Sequence, residues 1–167
     1  EIRPNCVVAV GGIGAEGAVN STLEVIEKYR PTMVVSTGFA GGVQPGLLTG
    51  HIVICDTVSQ TNNLSDVKQM KSIKIGLPNT RLGRVTIGSC LTVPSAIAEP
   101  QTKWEIGRRF NLSIIDMESY WVCKTSNESQ VDCIAARVVL DTVDQRLPGV
   151  AHHVAARKGS ALKYLAT

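Results

Sequence analysis

Leu112-Ser113-Ile114-Ile115-Asp116-Met117-Glu118-Ser119-Tyr120-Trp121-Val122 joins an apolar run to a helix-like stretch through two carboxylates. Carboxylates at such a junction are costly to desolvate unless something uses them, and in α/β proteins ligands sit at strand ends of this kind. A second apolar run, Ile134 to Leu140, also ends in an acid, Asp141. The two strand ends together mark a candidate active site.

Outward from that junction, the same alternation of strand and helix recurs. Val7 to Val10 is a continuous apolar run closed by Gly11-Gly12 and is predicted to be a buried strand. The apolar positions Ala15, Ala18, Val19, Leu23, Val25, Ile26 and Tyr29 have helical spacing, and Pro31 ends that segment. Thr32 to Thr37 is a second strand, so the order predicts a right-handed parallel βαβ unit. Gly38 to Gly46 reads as a glycine-rich loop, Ile52 to Val58 as a strand, and the polar stretch Ser59 to Thr80 as a long loop. Arg84 to Val93 is predicted as a strand and Glu99 to Phe110 as a helix. The strand Leu112 to Asp116, a helix from Met117 to about Ser126, the strand Val131 to Asp141 and a last helix from about Val150 to Leu165 complete the pattern.

The 167 residues match the size of one ordinary domain, and no linker or repeat divides them. A single domain over 1–167 is expected, with an upstream segment missing because Glu1 leads almost directly into a strand. Seventeen basic and 14 acidic residues are scattered along the chain, so the net charge of +3 forms no nucleic-acid or membrane footprint. Lys68, Lys71 and Lys74 lie in a polar stretch and read as solvated surface. The five cysteines form no CxxC pair and mostly sit in apolar runs, as buried free thiols do, which points to a reducing cytoplasmic compartment. No metal site is expected: the adjacent His152 and His153 point to different faces of a predicted helix.

Each candidate motif has a structural as well as a functional reading. Gly11-Gly12-Ile13-Gly14 stands where a helix N-terminus favours an anion or polar ribose, or simply permits a tight turn. Small residues from Gly38 to Gly42 either let a ligand approach the backbone or make a sharp turn. Asp116 suits a helix cap, leaving Glu118 as the stronger ligand candidate. Asp141 is either a turn aspartate or a general acid, with Arg137 and Asp144 placed to tune it in opposite directions.

In order, GGIGAEGAV, STGFAGGVQPGLLTGHIVI, IIDMESYWV and IAARVVLDTVD resemble the nucleoside phosphorylase and nucleosidase superfamily. That superfamily includes methylthioadenosine/S-adenosylhomocysteine nucleosidases, purine nucleoside phosphorylases and hopanoid-associated phosphorylases, and the resemblance runs from about Val7 to Leu165. It implies a three-layer α/β/α fold around a twisted mixed sheet, assembled as a homodimer or larger oligomer, that cleaves the N-glycosidic bond of a purine nucleoside. By that match Glu118 holds the ribose hydroxyls, Met117 lies against the sugar, and Asp141 acts as the acid at purine N7. Gly38, Phe39, Ala40 and Gly41 would line the sugar and nucleophile side, with Val93 and Ile97 near the base.

The departures from the family pattern bear on the nucleophile. Phosphorylases commonly carry an arginine before the loop glycines and a hydroxyl within the loop. Ser36 or Thr37 and Phe39 stand there instead, which favours water. The acid that nucleosidases supply after their first strand has no counterpart, and Pro94-Ser95 departs from the usual serine-glycine-aspartate beside the base. The expectation is therefore a nucleosidase without a cofactor. The alternatives are a phosphorylase using inorganic phosphate as co-substrate and a silent nucleoside-binding or storage protein.

Overall fold

The computed structural model describes residues 6–64, 71–75, 85–147 and 164–166. In chain order these form β1 (Val7–Ala9), α1 (Gly14–Tyr29), β2 (Met33–Gly42), β3 (Ile52–Gln60), β4 (Lys71–Lys74), β5 (Val85–Thr92), α2 (Pro100–Phe110), β6 (Ile114–Asp116), α3 (Ser119–Glu128), β7 (Asp132–Asp141) and β8 (Tyr164–Ala166). Six strands form a mixed sheet in the order β4-β3-β5-β6-β2-β7, and β7 also pairs with β3, so the sheet curls until β7 meets β3, with β4 outside the ring. The neighbours β3, β5 and β6 run parallel, as do β2 and β7, whereas β2 and β6 are antiparallel.

Strand alternation puts consecutive residues on opposite faces of this sheet, and both faces are packed. Ile114 and Cys90 belong to one buried cluster with Tyr120 and Cys123 of α3. Their neighbours Ile115 and Leu91 belong to a second, with Ile106 of α2 and, at its margin, Phe110. Helix, sheet and helix are thus stacked as the fold class requires. α1 lies further out, against α3.

α2 begins with Pro100 at its first turn, where the missing N–H costs nothing, and ends at Asn111 in the left-handed conformation (φ 51°). Its buried residues are Lys103, Ile106 and Gly107. Gly107 is there because the helix touches backbone: a Cβ at this position would stand 1.9 Å from the Val43 carbonyl oxygen.

Several predicted elements differ. Val7 to Ala9 is not a buried member of the main sheet. It pairs antiparallel with β8, and Val8 and Val10 are about half exposed, so the predicted parallel unit with β2 is absent among the described residues. The parallel βαβ unit lies instead at β5-α2-β6. Gly38 to Gly42 is strand rather than loop, because its backbone groups pair with β7 and β6. Part of the polar stretch after Ser59 is also strand: β3 continues to Gln60, and β4 pairs back onto it. Of the predicted last helix, Tyr164 and Leu165 lie in β8 and the remainder falls outside the described residues, as do Lys68, His152 and His153. Cys55, Cys90 and Cys123 are buried, Cys133 is half-buried, Cys6 is exposed, and all five thiols are free. Among the described residues no helix is long and apolar enough to cross a membrane.

The contact at Gly107 gives a direct test. Gly107→Ala should force α2 away from Val43 and lower the unfolding free energy by about 1–3 kcal/mol, the usual cost of overpacking, as read from urea denaturation. An unchanged midpoint would mean that the helix does not sit on that carbonyl.

Candidate active site

Asp116, the last residue of β6, is 5% exposed and pairs with Arg137 of β7, whose Nε donates to Asp116 Oδ2 at 2.9 Å. The same guanidinium donates to the Ser36 carbonyl at 2.8 Å and to Ser36 Oγ at 2.9 Å. Asp116 Oδ2 also accepts the Ser119 N–H at the start of α3. Its Oδ1 accepts the Thr92 hydroxyl at 2.6 Å, and Thr92 Oγ1 in turn accepts the Tyr120 N–H. Asp116 therefore accepts the first N–H of α3, although Glu118 stands at the N-cap position, and it also ties that helix to β2, β5 and β7. Burial pulls the Arg137 guanidinium towards neutrality, yet the charge and hydrogen bond of Asp116, with smaller contributions from Cys90 and Cys55, together hold Arg137 above its ordinary value.

Glu118 points the other way. Its Oε1 accepts the Gly14 N–H at 2.8 Å, so the anion seat at the N-terminus of α1 is taken by the protein's own carboxylate. Burial pushes the Glu118 carboxyl above its ordinary value of 4.5, and Asp116 adds to this, while the Gly14 N–H and Arg137 oppose it. Beside it a cavity of about 150 Å³ is lined by Ala15, Gln60, Asn62, Thr92, Val93, Pro94, Met117 and Trp121. The start of α1, the ends of β3, β5 and β6, and the first turns of α3 therefore converge on one pocket.

Asp141 is not among the residues that line this cavity. The register of β7 on β2 slips at Leu140: Val139 pairs with Ala40 and Asp141 with the next residue, Gly41. A bulge of one residue re-aims whatever follows it. Asp141 is thereby turned from the face of Val139 and Arg137 to the face of Ile115, towards α2. There Lys103 Nζ, fully buried, donates to Asp141 Oδ2 at 2.6 Å and to the carbonyls of Thr142 (2.6 Å) and Gln145 (2.5 Å). The expected tuning of Asp141 by Arg137 and Asp144 is therefore replaced. The bulge sets Arg137 on the other face with Asp116, and Asp144 accepts the Trp104 indole N–H at 3.0 Å. The cation beside Asp141 is Lys103, which the sequence pattern left unremarked as one lysine on an amphipathic helix.

The remaining candidates divide. Val93 and Met117 line the cavity, and Ile97 packs at the edge of the second core cluster. Gly41 lies against Asp141, where a Cβ would stand 3.4 Å and 3.5 Å from the carboxylate oxygens. Gly38 faces Arg137, Ala40 is buried in the first cluster, and Phe39 is 66% exposed.

Removing one partner from the central ion pair should be severe. Asp116→Ala is expected to cost about 3–5 kcal/mol by denaturation, since it strands the buried Arg137 charge. Glu118 behaves differently with pH. Its folded form keeps the proton to a higher pH than the unfolded chain, so its contribution is present at low pH and is lost as pH rises from 4.5 through the raised folded value. Glu118→Gln should therefore gain stability relative to the unsubstituted protein as pH climbs through that window. A pH-independent difference between paired denaturation curves would contradict this.

The family model described as "Phosphorylase superfamily" matches residues 2–163. A 5'-methylthioadenosine/S-adenosylhomocysteine nucleosidase of Staphylococcus haemolyticus is 26% identical over 155 residues, covering 81% of this chain and 68% of the relative. The structure of the 5'-methylthioadenosine/S-adenosylhomocysteine nucleosidase of Neisseria meningitidis in complex with methylthio-immucillin-A aligns with a TM-score of 0.67 at 20% identity, over 81% of this chain and 67% of that one. A futalosine hydrolase mutant of Helicobacter pylori aligns with a TM-score of 0.66 at 15% identity, over 79% and 65% respectively. The chain thus spans about two-thirds of the length of each of these relatives.

Proposed function

The chain belongs to the phosphorylase superfamily, and from that premise we propose that it hydrolyses the N-glycosidic bond of a purine nucleoside. The observation that carries the reading is Glu118: a half-buried carboxylate, anchored by the first N–H of α1 and next in the chain to Met117, which lines the cavity together with Val93. The names of the relatives support the reaction class, and the substrate is a nucleoside carrying a 5' substituent such as a methylthio group.

Breaking the bond between ribose and purine builds oxocarbenium character on the sugar and leaves an electron pair on the departing base. Glu118 accepts hydrogen bonds from the ribose 2' and 3' hydroxyls, which orients the sugar and strengthens its electron supply. Met117 packs on the sugar. Asp141 serves purine N7, where proton donation makes the base a better leaving group and contributes about 10² to 10⁴ in rate. β7 and β6 are separated by β2 alone, so the strands that lead to the two acids lie roughly 10 Å apart, and the proposed nucleoside has its sugar at Glu118 and its base at Asp141. The Leu147 N–H bonds the Ala98 carbonyl at 3.2 Å, tying the Val93 to Ala98 loop, proposed to lie beside the base, to the turn that follows Asp141.

Water is favoured over phosphate as the nucleophile. Ser36, at the position from which a phosphate would draw a donor, is 8% exposed and its hydroxyl is already bonded to Arg137. A phosphate needs charge and several donors, and the β2 segment carries no basic side chain and, besides Ser36, only the hydroxyl of the exposed Thr37.

The test is release of free base from methylthioadenosine, adenosylhomocysteine, adenosine and inosine by the intact protein, with and without inorganic phosphate. Release without phosphate is expected. A strict phosphate requirement would replace hydrolysis by phosphorolysis, and tight nucleoside binding without turnover would mark a binding protein instead. Glu118→Gln and Asp141→Asn should each lower turnover at least about tenfold, a barrier increase of about 1.4 kcal/mol. Wild-type rates in both variants would remove these residues from the chemistry.

A further inference from the structure

We propose that Lys103 is a positioning residue for catalysis: from the buried face of α2 it fixes the rotamer of Asp141, holding one carboxylate oxygen so that the other faces the ligand. This rests on the reading of Asp141 as the group that serves the base.

Lys103 is 0% exposed, and a lysine almost never reaches that state unless all its donors are met. An ammonium has three donors. All of them are directed at one short segment, to Asp141 Oδ2, Thr142 O and Gln145 O. Lys103 therefore organises the carboxylate and the turn after it as one unit. Around it that turn is fastened to α2 again, through Trp104 Nε1 to Asp144 Oδ1 and through the Arg146 and Glu99 ion pair.

Stability alone does not call for this arrangement. Two charges taken out of water repay their desolvation only in excellent geometry, and apolar residues of similar volume often serve the fold equally well. What the pair supplies is direction. The bulge at Leu140 turns Asp141 towards α2, and Lys103 meets it there. Gly41 leaves the space beside both carboxylate oxygens open, since a Cβ would come within 3.4 Å and 3.5 Å of them. Among the described residues Oδ1 accepts no hydrogen bond, so it is the oxygen left for a ligand. A proton donor or acceptor must come within about 2.6–3.2 Å of its target, and a carboxylate free to turn at both side-chain torsions rarely does. Gly107, one turn along α2 on the same face, lets the helix sit against Val43 and so sets how deeply Lys103 reaches.

The experiment is a kinetic cycle on the intact protein with the nucleoside it turns over: Lys103→Met, Asp141→Asn, both together, and Lys103→Arg, with melting temperature recorded for each. Lys103→Met is expected to lower kcat at least about tenfold while KM moves less than about threefold. In the Asp141→Asn background, adding Lys103→Met should change kcat by less than about threefold, because no carboxylate remains to be positioned. Lys103→Arg keeps a cation beside Asp141 and should recover part of the loss. Equal losses from Lys103→Met in both backgrounds, a loss confined to KM, or unchanged kcat would each overturn the proposal. If Lys103→Met does not fold, Lys103→Gln, which keeps donors without the charge, takes its place in the cycle: a loss of kcat that disappears in the Asp141→Asn background supports positioning, and equal losses in both backgrounds or wild-type kcat refute it. Full turnover in Asp141→Asn would refute the Asp141 reading itself, and the proposal with it, independently of any change at Lys103.

Discussion

The buried pair of Asp116 and Arg137 is the contact on which the rest of the molecule hangs. It joins the last residue of β6 to the middle of β7 and draws in Ser36 of β2, Thr92 of β5 and the first turn of α3. Four strands and a helix are thus held by one carboxylate and one guanidinium, each with its hydrogen-bonding groups directed at named partners. Such a network is costly when incomplete and specific when satisfied. Because α3 starts from it, the position of Glu118, two residues past Asp116, is set by the same contact.

A division of labour among the acids follows. Asp116 is spent on structure, Glu118 is turned to the N-terminus of α1, and Asp141 is handed to the opposite face of the sheet by a bulge of one residue. Each acid has a different cationic or dipolar companion: Arg137, the first N–H of α1, and Lys103. In chemical terms the site is a set of carboxylates whose environments have been made unlike one another, which is how one fold supports distinct acid, base and binding roles.

Much of this was legible in the sequence, for stated reasons. The strands at Ile52, Val85 and Asp132 and the helices at Pro100 and Ser119 announce themselves through apolar runs, spacing and proline punctuation. Four ordered motifs led to the superfamily. Glycines misled, because composition reports conformational freedom and not what the backbone is paired with: Gly38 to Gly42 reads as loop yet pairs with β7 and β6. Val7 to Ala9 misled in the opposite sense, since an apolar run says nothing of whether a neighbouring strand covers it. The partners of the buried charges were illegible altogether. Arg137 and Asp141 are four residues apart and would share a face in a regular strand, and only the slip at Leu140 separates them.

The closing of the sheet through β7 has a consequence for how the protein is made. β7 bonds to β2 along its length and, through Ala136 to Val138, to the start of β3, so the ring of strands has a gap until residues 132–141 have left the ribosome. Until then β2 and β3 present unpaired edges, and Asp116 waits without its guanidinium. Contacts so distant along the chain close late and slowly. A nascent chain stalled before Arg137 therefore exposes strand edges of the kind that chaperones shield, and Asp116 gains its cationic partner only when that residue joins.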